Sequence, residues 1–150
     1  MHPITCDQLL AAAFPHTALK VRVCETHLSF VVLTGHIAYK VKKALKLDFI
    51  DASSLQRRRE LCEEELRIDR RFAAEIYLEV VPIVVIDGRL VFEAVGAPVE
   101  YAVKMRQFDE HEEMQALLRM NALPATDLVR FGGRIASIHA ASVVLREPNG

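Results

Sequence analysis

The chain has 150 residues, of which 51% are hydrophobic and 26% are charged, and its net charge is −1. This length and composition predict a folded chain with a substantial core and exclude an intrinsically disordered segment. The near-neutral charge argues against a dedicated nucleic-acid-binding protein, because such proteins usually carry a strong basic excess.

The sequence also predicts a cytoplasmic protein without a membrane segment. No stretch reaches 18 apolar residues in a row, and the first residues, MHPITCDQ, lack the basic and apolar regions of a signal peptide. The three cysteines are odd in number and have no metal-ligand spacing, so we expect reduced thiols and no metal site.

The first half of the chain predicts a short helix and then an antiparallel sheet. Residues 4–13 predict the helix, with Thr5 as its N-cap. Alternating apolar residues predict strands over 20–25, 28–34 and 37–43. The reversal between the first two strands contains Thr26 and Ser29, where a phosphate-covering loop would lie.

The third predicted strand carries a lysine in a setting typical of a kinase-type ATP site. Alternation places Ala38, Lys40 and Lys42 on one face of the strand. A small residue two positions before a lysine leaves room for adenine, while the lysine reaches the α- and β-phosphates. The alternative is an ordinary edge strand protected by lysines.

After an irregular link over 45–52, the sequence predicts a long helix. Ser53 or Ser54 can cap its start, and the helical pattern runs to about Glu75. Residues placed at about 100° per step give the helix one broad apolar face. The residues on this face are Leu61, Cys62, Leu66, Ile68, Phe72 and Ala73.

One carboxylate falls close to the centre of that apolar face. It belongs to Glu65, and a buried carboxylate is costly unless it is paired. Lys40 is the partner that we favour, since kinases need a lysine–glutamate pair between the third strand and the next helix. A local network of Glu65 with Arg58 and Asp69, without any ligand, is the alternative.

The rest of the chain predicts more strands and then helices. Strands are predicted over 79–86, 89–94 and 99–108, and the Asp87-Gly88 turn joins the first two of them. Past Phe108 the pattern becomes helical, which indicates a hinge between two lobes. One helix is predicted over 110–123, ending near Asn121. A second is predicted from Thr126 or Asp127, and residues 146–150 should be a frayed end.

Four segments, THLSFVVLTG, AYKVKK, CEEELRIDRRFA and YAVKMRQF, together resemble the N-terminal part of an aminoglycoside phosphotransferase-like protein. The closest subgroup is often fused to a C-terminal P-loop kinase-like ATPase domain, and the similarity covers nearly all of residues 16–141. The resemblance implies an α+β, protein-kinase-like N-lobe over 1–108, with about five antiparallel strands and one αC-type helix. The first helices of a truncated helical C-lobe would follow over 109–150.

The resemblance also implies ATP as the ligand and assigns residues to it by position. Lys40 would anchor the phosphates and Glu65 would orient it. The loop containing Thr26 and Ser29 would cover the nucleotide. The residues that would line the adenine slot or bond the adenine edge are Ala38, Met105, Arg106 and Phe108.

The sequence does not contain the motifs that carry the catalytic residues of this family. Transfer of a phosphoryl group needs a carboxylate that orients the acceptor and further Asp or Asn side chains that hold magnesium. In the family these lie in an H-G-D-type loop and a later aspartate, both after the helix that ends near His139. We therefore expect nucleotide binding without catalysis, with magnesium held weakly if at all.

The sequence is also compatible with two other functions. The first is a non-catalytic interaction module, in which the apolar face around Leu128, Phe131 and Ile135 docks onto a partner or a second copy. The second is nucleic-acid binding through the basic residues of 40–46 and 57–59. Twenty acidic residues oppose it, so neither a nucleic acid nor a membrane is expected as a partner.

Overall fold

The computed structural model describes residues 3–143. It divides the chain into two compact units, with the boundary between Gln107 and Phe108. The first unit contains all the described strands and two of the described helices, and the second contains the other described helices. The predicted α+β class is therefore confirmed, while the identification of the units with kinase-like lobes stays a prediction. The expected frayed end over 146–150 lies outside the described residues.

Eight strands are described in the first unit. In chain order they are β1 (Arg22–Glu25), β2 (Ser29–Leu33), β3 (Ile37–Lys42), β4 (Lys46–Leu47), β5 (Ile50–Asp51), β6 (Tyr77–Ile86), β7 (Arg89–Phe92) and β8 (Glu100–Arg106). Six of them form a curled antiparallel sheet in the order β1-β2-β3-β8-β6-β7. The strands β4 and β5 pair separately as a small hairpin.

The sheet corrects two expectations. The main sheet has six strands rather than the five or so that the resemblance implies, and the sixth is β7, the strand that the sequence pattern predicts after the Asp87-Gly88 turn. Both turn residues have positive φ, 50° and 77°, which suits the twist of a tight hairpin. The link over 45–52 is not irregular throughout, since Lys46 pairs with Asp51 in the β4–β5 hairpin.

Four α-helices are described: α1 (Cys6–Leu10), α2 (Leu55–Ala73), α3 (Met114–Arg119) and α4 (Ala125–Ala140). The predicted N-cap of α1 is confirmed, since the Thr5 side chain accepts a hydrogen bond from the Gln8 N–H. Ser54 caps α2 in the same way by accepting from the Arg57 N–H.

The helix boundaries differ from the predictions at several points. The opening helix covers only five residues of the predicted 4–13. The helix expected over 110–123 is divided into a 3-10 turn, Glu110–Glu112, and the short α3. Helix α4 begins one residue before Thr126, after Pro124, and no side chain caps it. Proline before a helix supplies a suitable φ without needing a hydrogen-bond partner for its nitrogen.

The hydrophobic core of the first unit lies on the face of the sheet that α1 covers. Its largest fully buried side chains include Tyr39 and Phe92, whose rings lie 4.6 Å apart between centroids. The other core residues are Leu9, Ala12, Phe30, Val32, Val41, Val81, Ile83, Leu90 and Ala102.

Helix α2 packs against β8 and β6, on the opposite face of the sheet. Of the six residues predicted for its apolar face, Cys62 is fully buried, whereas Ile68 and Phe72 are 39% and 38% exposed. Arg58, which the helical pattern places in the same sector as Glu65, is only 7% exposed. Charge pairing therefore contributes to the contact between α2 and the sheet.

Within residues 3–143, no helix combines the length and the apolar character that crossing a membrane requires.

Candidate functional site

The predicted contact between the third strand and the following helix is formed. Strand alternation directs Lys40 and Lys42 toward α2, where Glu65 lies between them. The Lys40 Nζ lies 2.7 Å from Glu65 Oε1. The Lys42 Nζ donates a hydrogen bond to the other carboxylate oxygen, Oε2. Two ammonium groups from β3 thus converge on one carboxylate from α2.

The environment of Glu65 favours its ionised form. Its side chain is only 13% exposed. Burial by itself raises the pKa of Glu65, but the two lysines together outweigh that effect and hold the pKa below its ordinary value. The cluster of two lysines and one glutamate therefore carries a net charge of +1.

The two lysines are not equivalent. The Lys42 side chain is 12% exposed, whereas that of Lys40 is 32% exposed. The contact of Lys40 with Glu65 Oε1 is close but not aligned as a hydrogen bond, and this buried oxygen has no hydrogen-bond donor among the described residues. Both lysines therefore pair with Glu65, and Lys40 is the more exposed of the two, where an anion in solvent could meet it.

The residues predicted to line an adenine slot lie on the same face as Lys40. Ala38 of β3 pairs directly with Met105 of β8, and Lys40 pairs with Val103. Two residues along a strand separate side chains on one face by about 7 Å. The structure therefore places Ala38 and Met105 beside each other and one step from the lysine.

The Thr26 side chain stabilises the turn between β1 and β2 by hydrogen bonds to the backbone of Ser29. The Thr26 hydroxyl donates to the Ser29 carbonyl at 2.9 Å and accepts from the Ser29 N–H at 3.0 Å. Ser29 pairs across the sheet with Lys42 and is 1% exposed, and its Oγ has no hydrogen-bond partner among the described residues. Thr26 would have to release these bonds before its hydroxyl could reach a ligand.

At the predicted hinge, two backbone N–H groups are already hydrogen-bonded within the first unit, and the Phe108 side chain is exposed. The Arg106 N–H already donates to the Ile76 carbonyl at 2.8 Å, so this donor is occupied. The neighbouring Gln107 N–H donates to the His36 carbonyl at 2.9 Å. Phe108 begins the second unit, and its side chain is 48% exposed.

The alternative network of Glu65 with Arg58 and Asp69 is wrong. Arg58 instead donates through Nε to Glu100 Oε2 at 2.7 Å, and both side chains are less than a tenth exposed. Its Nη1 donates to the carbonyl oxygens of Ala52 and Ser53, at 3.0 Å each. Burial raises the pKa of Glu100 despite the attraction of the guanidinium.

The sequence reasoning missed this buried pair and one further group. On the core face, the Tyr39 hydroxyl donates to Glu93 Oε1 at 2.5 Å, and Lys104 contacts Glu93 Oε2 at 2.7 Å. Burial and the neighbouring Glu93 raise the pKa of Tyr39. The partners are 54 and 11 residues apart in the chain, so no local spacing signals the group.

Comparison with known proteins finds a partial similarity. No protein-family model matches the chain, and no solved structure matches it significantly. Uncharacterized proteins of Mycobacterium bovis and of two Mycobacterium tuberculosis strains are each 29% identical to it over 98 residues. The match covers 65% of this chain but 18% of each relative, so the chain spans less than a fifth of the length of these curated relatives.

Potential metal ligands are not grouped in the described part of the chain. Over residues 3–143, no three His, Cys, Asp or Glu side chains are arranged to hold an ion. The three cysteines are free, and burial raises the pKa of the Cys62 thiol to about 12, which makes it a poor nucleophile or ligand.

Proposed function

We propose that this chain is the ATP-binding portion of a kinase-like phosphotransferase, in which Lys40 binds the nucleotide phosphates and Glu65 orients Lys40. The 2.7 Å contact between these two side chains carries the proposal. A lysine on the third strand that pairs with a glutamate on the next helix is the arrangement that protein kinases require.

Three further features support nucleotide binding. The lysine–glutamate cluster has a net positive charge, and its more exposed lysine faces solvent. Ala38 and Met105 lie side by side on the face of Lys40, where a flat ring can stack on small and flexible side chains. The α+β unit with a long helix after the third strand also suits the proposed family.

The proposal covers binding and not catalysis. Within these 150 residues no H-G-D-type loop follows His139, so the acceptor-orienting carboxylate and the magnesium ligands are not assigned. The substrate that accepts phosphate is likewise not assigned. A fused or separate P-loop ATPase domain as a partner stays a prediction.

Titration of ATP into the intact chain by calorimetry tests this function. We expect Lys40→Met to weaken binding about tenfold, because a charge-assisted hydrogen bond to phosphate is lost. Lys104→Met is the matched control. Lys104 is also a strand lysine with a glutamate oxygen at 2.7 Å, but it pairs with Tyr39 and lies on the core face.

A loss of ATP binding has to be distinguished from a loss of folding. Circular dichroism of both variants checks that the fold is kept. Equal, weak ATP binding by the parent chain and the Lys40 variant would exclude the proposed nucleotide site, and so would an equal loss in the Lys104 control.

A second candidate function is a non-catalytic interaction module. It is favoured by the exposure of the α4 face, where Leu128 is 47% and Phe131 is 52% exposed. Apolar side chains that are exposed at helical spacing on one face commonly mark a docking surface. This candidate function is tested by measuring whether the chain associates with itself in solution.

A further inference from the structure

The lysine–glutamate cluster contains one lysine more than the proposed nucleotide site needs. A kinase-type site requires a single strand lysine that pairs with a helix glutamate. In the proposed site Lys40 has that role, but Lys42 also contacts Glu65 from the same face of β3. The proposed function therefore leaves Lys42 without a role.

The surroundings of Lys42 tie it to Glu65. Its side chain is 12% exposed, and over residues 3–143 Glu65 is the single carboxylate that pairs with it. Its cross-strand partner in β2 is Ser29, which is fully buried. An ammonium group in such a position is costly to leave unpaired, so Lys42 has little freedom to exchange Glu65 for a ligand.

Lys40 has more freedom than Lys42. Its side chain is 32% exposed, and it approaches Oε1 of Glu65, whereas Lys42 donates to Oε2. Because the two lysines use different oxygens of the carboxylate, Lys40 can shift toward a ligand without breaking the hydrogen bond from Lys42. An ammonium group also has three N–H donors, so Lys40 can keep its contact with Oε1 while it donates to a phosphate oxygen.

We propose that Lys42 is a positioning residue of the nucleotide site, which holds the Glu65 carboxylate in place and shares its negative charge, so that Lys40 can bind a phosphate. This inference rests on the proposed function and concerns a residue that does not touch the nucleotide. Without Lys42, Glu65 would attract Lys40 alone and would also repel the phosphate. The remaining pair of Lys40 and Glu65 would have no net charge.

The neighbours of Glu65 other than the lysines do not compete for this role. The titratable groups that interact with it electrostatically are Tyr77 on β6 and Cys62 on α2. Burial raises the pKa of each of them to about 12, so both are neutral in neutral and acidic solution. Asp69, one turn further along α2, interacts with Tyr77. Lys40 and Lys42 are thus the cations that stabilise the ionised Glu65.

The first test is a titration of the Glu65 carboxyl carbon by nuclear magnetic resonance, with its signal assigned by its loss in Glu65→Gln. The pKa of Glu65 should lie below 4.5 in the parent chain and should rise in Lys42→Met, because burial is then opposed by one lysine instead of two. Lys43→Met is the matched control, since Lys43 is the next residue and pairs with the exposed Glu25. A Glu65 pKa that is equal in Lys42→Met and the parent would overturn the proposal.

The second test is ATP binding by calorimetry near neutral pH. Lys42→Met should weaken binding about fivefold, because Glu65 then competes with the phosphate for Lys40. Lys43→Met should weaken it less than about twofold, since the field of a charge that is not in the cluster is screened by salt. An equal loss in the two variants would show a general effect of charge and would overturn the proposal.

The pH profile of ATP binding separates positioning from a merely structural effect. The ratio of parent to Lys42→Met affinity should shrink as the pH is lowered to about 5, because Glu65 begins to protonate at a higher pH in the variant and then releases Lys40. The protonation of ATP itself cancels in this ratio. A ratio that stays constant over this range would contradict the role of Lys42.

The parent chain gives a further test that needs no variant to fold. When the chain is saturated with ATP, the pKa of Glu65 should stay below the ordinary 4.5, because Lys42 still holds the carboxylate. A rise above that value would show that ATP draws both lysines away, and the proposal would be wrong. ATP binding that needs Lys40 but is unchanged in Lys42→Met would overturn this inference alone. No ATP binding by the parent chain would overturn the proposed function as well.

Discussion

Glu65 is held by two ammonium groups that have different exposures. Lys42 is nearly enclosed and satisfies one carboxylate oxygen, while Lys40 touches the other oxygen from a more exposed position. If Lys42 were absent, Lys40 would be the sole counter-charge of a buried carboxylate. Since Lys42 fills that structural role, Lys40 can turn toward a ligand at a smaller cost in stability.

The pairing of Glu65 predicts a specific pH dependence. Because its pKa in the folded chain lies below the ordinary 4.5, the ionised carboxylate stabilises the fold at higher pH, and this contribution disappears as the pH falls through the folded value. Glu65→Gln should therefore lower the free energy of unfolding by roughly 1–3 kcal/mol near neutral pH. The difference from the parent should narrow only at pH values below 4.5.

Urea unfolding at a series of pH values measures this difference. Glu63→Gln is the control, since Glu63 lies on the same helix and its ion pair with Arg59 is exposed. The control should differ little from the parent at any pH. A Glu65 effect that stays constant or grows as the medium becomes acidic would contradict the pairing.

At the scale of elements, local signals in the sequence predicted several features correctly. Thr5 and Ser54 cap their helices as expected, and Asp87-Gly88 makes the hairpin between β6 and β7. Alternation along β3 also placed Lys40 on the face that meets α2. Each of these features depends on residues within a few positions of one another, or on a periodicity that one strand or helix displays.

Features that depend on distant partners were not predictable. The apolar pattern of α2 suggested that Ile68 and Phe72 are buried, but both are exposed by more than a third. The buried contact of Arg58 is instead with Glu100, which is 42 residues away in the chain. A single sequence shows the charges but not which of many opposite charges becomes the partner.

The buried pair predicts a large non-additive effect on stability. Arg58→Met should lower the free energy of unfolding by about 3–5 kcal/mol, because it leaves the Glu100 carboxylate buried and unpaired. Adding Glu100→Met should restore most of this loss, since the uncompensated charge is then removed.

Urea denaturation of the two single variants and the double variant gives the coupling energy. Arg57→Met is the matched control, because Arg57 is the neighbouring residue and its ion pair with Glu60 is exposed. This control should leave the unfolding free energy nearly unchanged. Single-variant losses that simply add in the double variant would show that Arg58 and Glu100 do not stabilise each other.

At the scale of the whole molecule, the two units differ in how many of their side chains are buried. The first unit has a continuous core on one face of its sheet. Within the described helices α3 and α4, by contrast, no residue is buried. Three residues on α4, Leu128, Phe131 and Ile135, follow the spacing of a helical stripe. The apolar side of α4 is thus an exposed surface that a docking partner could cover.

If α4 serves as an interaction surface, a second copy of the chain is the simplest partner to test. We expect the apparent mass in size-exclusion chromatography to rise about twofold with concentration, since two-fold dimers are the commonest assemblies. Phe131→Ser should suppress this change because it removes the largest apolar side chain of the stripe. Leu19→Ser is the control, as Leu19 is 70% exposed but belongs to the first unit. A monomer at every concentration, or dimerisation that Phe131→Ser leaves intact, would exclude self-association through α4.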